Sequence, residues 1–184
     1  MKSISNIMGL TFIGLMLLAL GVATAMWMET LKINTYVETG EVKVAWTDWM
    51  CSDEGPDPQA GEPFHNEEGK DVAQCIVTPE IYDEEQNVIK VNITLVNAYP
   101  GYAPYITLYA GNIGTIPVKL LNYSISEYNE EALTVTLEIP EDTQIHPDES
   151  LAIGIQIIIN QEATELTTYS FELEFTFAQW NEVP

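Results

Sequence analysis

Leu151-Ala152-Ile153-Gly154-Ile155-Gln156-Ile157-Ile158-Ile159 places a large aliphatic residue at every second position. A period of two puts alternate side chains on opposite faces of an extended chain, so this stretch reads as a strand with one face in a core. The pattern repeats outward in both directions. Leu133, Val135, Leu137 and Ile139 precede it, and Tyr169, Phe171, Leu173, Phe175 and Phe177 follow it. Further upstream stand Ile116, Val118 and Leu120, then Ile106 and Leu108, then Ile89, Val91, Ile93 and Leu95. Val42, Val44 and Trp46 share an inward face, and Leu31, Ile33 and Val37 share the first. Turn residues separate the runs: Asn97-Ala98-Tyr99-Pro100-Gly101, Gly111-Asn112-Ile113-Gly114 and Pro140-Glu141-Asp142. Many short strands between such turns predict an all-β fold, an antiparallel jelly-roll-like β-sandwich. Pro117 has no N–H to donate and is expected at an edge or a bulge.

The chain begins differently. Ile7 to Val22 is apolar and runs into Ala23-Thr24-Ala25, whose first and third residues suit signal peptidase. Residues 1–25 therefore read as a cleaved signal peptide, with the cut between Ala25 and Met26. Retention as a membrane anchor is the other reading, because about 20 apolar residues cross a bilayer. Either way the remainder lies outside the cytoplasm. After cleavage the new N-terminus is itself strand-like: residues 26–40 form a first strand, and 41–184 the sandwich domain.

Charge narrows the partners. The chain has 28 acidic residues against six lysines, and a net charge of −22. Nothing in it could neutralise a nucleic acid backbone, and an anionic lipid surface would repel it. Contact with a membrane is expected only through the leader. Carboxylate oxygens suit calcium, which is the one cofactor the composition suggests, although no EF-hand pattern occurs.

Cys51 and Cys75 are the two cysteines. In an exported chain they are expected to pair, stabilising by about 3–4 kcal/mol in the chain-entropy picture. They tie the base of segment 51–75, rich in Asp, Glu, Pro and Gly, which reads as a loop. A solvated surface loop, a cation site and a contact between subunits are all consistent with it. Asn92-Ile93-Thr94 and Asn122-Tyr123-Ser124 are N-glycosylation sequons. Asn92 points away from Val91 and Ile93 by strand alternation, which makes it accessible.

Catalytic patterns are missing. There is no HExxH, no G-x-S-x-G and no phosphate-binding glycine loop. The two histidines, His65 and His146, stand apart in loops. An enzyme is not expected. Trp46 reads as core, and Trp27 as an anchor at the second position of the mature chain.

Two blocks of sequence carry a resemblance. Trp27-Met28-Glu29-Thr30-Leu31 with Val37-Glu38-Thr39-Gly40-Glu41-Val42 is the first. Asn97-Ala98-Tyr99-Pro100-Gly101-Tyr102 with Gly111-Asn112-Ile113-Gly114-Thr115-Ile116-Pro117-Val118 is the second. Together they resemble the TasA/camelysin-like secreted filament proteins, and more closely the archaeal bundling pilins. The resemblance implies a subunit that polymerises by donor-strand complementation into extracellular filaments or bundles supporting biofilm and cell–cell contact. Its partners would be identical subunits, head to tail, with lateral bundling between filaments. Trp27, Leu31, Ile33 and Val37 would be the donor-strand anchors. Some relatives have been labelled metallopeptidases, an activity for which this chain has no motif. The alternative is a monomeric sandwich, secreted or membrane-anchored, that binds a ligand or divalent cation.

Overall fold

The computed structural model describes residues 2–23, 29–61 and 64–183. It divides into two compact units, Met1–Glu38 and Thr39–Pro184. The first unit contains helix α1, Lys2–Ala23. Large apolar side chains cover it on all sides, among them Leu10, Phe12, Ile13 and Leu15, and all four are exposed. Among the described residues no helix is long and apolar enough to cross a membrane. Residues 29–38 follow without helix or strand.

Among the described residues the second unit has nine strands: β1 Val44–Cys51, β2 Gln74–Tyr82, β3 Val88–Val96, β4 Tyr105–Asn112, β5 Val118–Ile125, β6 Leu133–Glu138, β7 Gln144–Ile145, β8 Ser150–Ile159 and β9 Leu173–Gln179. A six-stranded sheet runs in the order β2-β3-β1-β4-β8-β6 and a three-stranded sheet in the order β7-β5-β9. Every pairing is antiparallel. The result is an all-β, sandwich-like body.

The Leu151–Ile159 stretch is β8, inside the large sheet between β4 and β6. Ile153 lies opposite Leu108 and Ile155 opposite Ile106, while Ile155 and Ile157 meet Leu137 and Val135 on the other side. Direct cross-strand partners share a face, so these residues form one apolar layer. Ile106, Ile153 and Ile155 are fully buried. On the outer face Gly154 leaves room for Tyr105, whose ring lies where a Cβ would stand. The Tyr105 hydroxyl donates to Glu138 Oε2 at 2.8 Å, which pushes its pKa up.

Val118 of β5 and Ile145 of β7 pair and are both buried, against Ala110, Leu151 and Ile153. Trp46 of β1 meets Phe175 of β9 edge-to-face, with centroids 5.8 Å apart. Aromatic pairs of this geometry contribute about 0.5–1.5 kcal/mol beyond the area they bury. Trp46 therefore holds one sheet to the other.

Some sequence expectations shift. Val42 stands outside β1 and is 43% exposed. Tyr169 and Phe171 pack on the core but precede β9. Pro117 ends the β4–β5 corner and lies outside the strand. Strand β2 was not legible, because Pro79 and Glu80 break its alternation. Its register against β3 slips between Pro79 and Tyr82, and Pro79 sits on the outermost strand, where a missing donor costs no ladder bond.

Candidate assembly site

The segment expected to donate a strand, 29–38, carries neither helix nor strand among the described residues. Leu31 and Ile33 are 89% and 90% exposed, and Tyr36 and Val37 are also exposed. An isolated strand leaves its backbone groups to water and buries nothing, so it gains order only beside another strand. Leu31, Ile33, Thr35 and Val37 would share one face when extended; Lys32, Asn34 and Tyr36 would share the other. Trp27, and the expected cut between Ala25 and Met26, lie outside the described residues.

The body has an open sheet edge of matching kind. Strand β7 pairs with β5 only at Val118 and Lys119. Beyond that point one edge of β5 has no strand beside it among the described residues. Tyr123 and Ile125 lie opposite Phe175 and Leu173, so they point between the sheets. Yet they remain 49% and 38% exposed. Inward-facing side chains this open mark a place where the cover is missing. A cavity of about 450 Å³ occupies it, bounded by Leu120, Leu121 and Tyr123 of β5 and by Leu137, Ile139 and Pro140 on the β6 side. Its lining contains no charged residue, in a chain of net charge −22.

Strand β5 itself shifts register between Leu120 and Asn122, and β6 is the other outer strand of the large sheet; two further edges carry guards. Strand β2 has Pro79, Glu80 and two register slips, the usual devices against unwanted pairing. The outer edge of β9 starts at Glu172, which meets Lys90 of β3 at 3.6 Å.

Segment 51–75 is closed by the Cys51–Cys75 disulfide, with Cα atoms 6.3 Å apart. It differs from a purely solvated loop. Asp57 is 4% exposed, and its carboxylate accepts from Val72 N at 3.0 Å and Ala73 N at 3.2 Å. Asp53 Oδ2 accepts from Cys75 N at 2.9 Å and from the Tyr102 hydroxyl at 2.8 Å. Burial, reinforced by Asp53, pushes the Tyr102 pKa well up. Asp57 ties the two limbs of the loop together, and Asp53 holds it to the body through Tyr102. Among the described residues no three His, Cys, Asp or Glu side chains converge to hold a metal.

Asn92 is exposed on the outer face of β3, with Nδ2 donating to Thr94 Oγ1 at 3.1 Å. Asn122 is exposed on β5 opposite Thr176.

A tight turn joins β2 to β3. Asp83 Oδ1 accepts from Asn87 N at 2.8 Å and Glu85 N at 2.9 Å, and Oδ2 from Asn87 Nδ2 at 3.0 Å. Lys43 Nζ stands 3.3 Å from Asp83 and 2.5 Å from Glu85. Hydrogen bonds from Asn87, chiefly, hold the Asp83 pKa down at about 2, against an ordinary 3.8. A carboxyl with a depressed folded pKa stabilises above its unfolded value and loses that contribution as pH falls through the folded one. The turn should therefore hold at pH 4 and loosen between about 3.8 and 2. Carbon-detected NMR titration of the Asp83 carboxyl should show this midpoint, and Asn87→Ala should move it upward. A midpoint near 3.8 in the unaltered protein would show that these bonds do not persist in solution.

Comparison with protein-family models, curated proteins and solved structures yields no match for this chain.

Proposed function

We propose that this protein is a structural, pilin-like subunit that polymerises by donor-strand complementation into extracellular filaments. The carrying observation is the segment at residues 29–38, whose alternating Leu31, Ile33 and Val37 are 80–90% exposed. In this reading signal peptidase cuts after Ala25 and the body is a jelly roll lacking one strand. The freed strand completes the next subunit. Main-chain hydrogen bonds supply affinity, and alternate side chains supply specificity. Head-to-tail donation is a heterologous contact that need not close on itself, so it extends into a fibre. Lateral contacts between fibres would then build the bundles that support biofilm and cell–cell adhesion. The Cys51–Cys75 disulfide suits an oxidising, extracellular setting. Residues Trp27, Leu31, Ile33 and Val37 anchor the donated strand.

Negative-stain electron microscopy of the secreted protein tests this. Filaments are expected from material whose N-terminal sequence starts at Met26. Material with that N-terminus that stays monomeric at high concentration would refute the proposal.

A further inference from the structure

We infer that the open edge of β5, between Leu121 and Ile125, is the slot that receives residues 29–38 of a second copy of this chain. The inference rests on the donor-strand reading and assigns its acceptor. Three observations carry it.

The first is the unfinished edge. Strand β7 covers Val118 and Lys119 and then stops, which leaves backbone donors and acceptors of β5 free for another strand. The second is the unfinished core. Tyr123 and Ile125 point inward while 49% and 38% exposed, and Tyr123 shares the cavity with Leu137 and Ile139. A strand laid along β5 would drop every second side chain into that space. Leu31, Ile33 and Val37 stand at such a spacing and are bare in their own chain. The third is chemistry. The slot has no charged lining residue, and residues 30–37 contain no acid, although acids are abundant elsewhere.

The occupant comes from another copy. The body's own first residues are fixed at the β4–β5 corner: Glu41 N donates to Thr115 Oγ1 at 2.8 Å, and Thr115 N to Glu41 O at 3.0 Å. That corner lies before Val118, and β7 occupies the edge between it and the slot.

Cysteine trapping in the full-length secreted protein tests the assignment. Inward side chains directly opposite on paired antiparallel strands lie with Cβ atoms about 4.5–5.5 Å apart, within reach of a disulfide. Tyr123→Cys is combined in turn with Leu31→Cys, Ile33→Cys, Thr35→Cys or Val37→Cys, and a parallel set replaces Tyr123→Cys with Ile93→Cys on β3. Mild oxidation of filaments should give a reducible ladder of dimers, trimers and longer chains in the Tyr123 set alone. A ladder only in the Ile93 set moves the slot to the opposite seam and overturns the inference, with strand donation intact. A fast-migrating monomer in the Tyr123 set, in place of the ladder, overturns exchange between copies. Wild-type protein that forms no filaments refutes strand donation itself. Leu121→Lys, at a side chain that lines the slot and is 48% exposed, gives a second readout that needs no cysteine. It should abolish assembly while the unassembled body melts within a few degrees of wild type; full assembly would overturn the assignment.

Discussion

Protein lacking residues 26–38 should fold, elute as a monomer and form no filaments. The removed residues contribute little to the body. Leu31, Ile33, Tyr36 and Val37 are all at least 80% exposed, and every buried core residue lies in Thr39–Pro184. Removing exposed residues away from special features usually changes stability by less than about 0.5 kcal/mol. The melting temperature should therefore shift by no more than about 2 °C. Assembly should respond very differently. Burying Leu31, Ile33 and Val37 in a neighbour contributes about 1.5–3 kcal/mol each, before ordering costs. Losing even about 4 kcal/mol weakens association roughly a thousandfold. Thermal melting and electron microscopy of the truncated protein decide the matter. Filaments of normal appearance from this variant would sink strand donation, and failure to fold would place the segment in the body.

Asn112→Ala should lower stability by about 3 kcal/mol or more. Asn112 is 1% exposed. Its Nδ2 donates to Ile116 O at 2.8 Å and to Ile145 O at 3.0 Å, and its Oδ1 accepts from Gly114 N at 3.0 Å. One side chain thus satisfies three backbone groups across the β4–β5 corner and β7. Each buried polar group left without a partner costs about 1–3 kcal/mol, with some return where Lys43 O also accepts from Gly114 N. For a body this size the expected fall in melting temperature is about 6 °C or more. Asn112→Asp should be nearly as harmful, because it loses both donors. A drop under 2 °C in either variant would mean that water replaces the amide.

The fold was legible where local pattern and long-range pairing agree. Leu151–Ile159 alternates without a break and is a central strand. Strand β2 was hidden because Pro79 and Glu80 interrupt its period, and β7 because two residues are too few to show one. The disulfide followed from cysteine count and compartment. Asp53 and Asp57 were invisible as loop anchors, since nothing local separates an inward acid from its many solvated neighbours. The alternation of Leu31, Ile33 and Val37 predicts a first strand, whereas residues 29–38 carry neither helix nor strand, because spacing alone supplies no neighbour to pair with. The open edge of β5 was not legible, because it is set by where β7 stops and by which faces β5 and β6 present to each other. Asn112 was seen only as a turn residue; its role depends on Ile145, far along the chain.

The glycine-rich corner also determines how this molecule would bear tension. Gly114 lies so close to Glu41 O that a Cβ would collide with backbone. Lys43 O accepts from both Ile113 N and Gly114 N, at 3.0 and 3.1 Å. At the next residue, Val44, the chain enters β1, an interior strand paired with β4 along nearly its whole length. A force pulling on residue 39 from outside therefore runs along β1 and loads its ladder in shear. Hydrogen bonds perpendicular to the strand must then fail together. Peeling an edge strand would break them one at a time. The entry point of the chain is thus built for mechanical endurance, a property that equilibrium melting does not report.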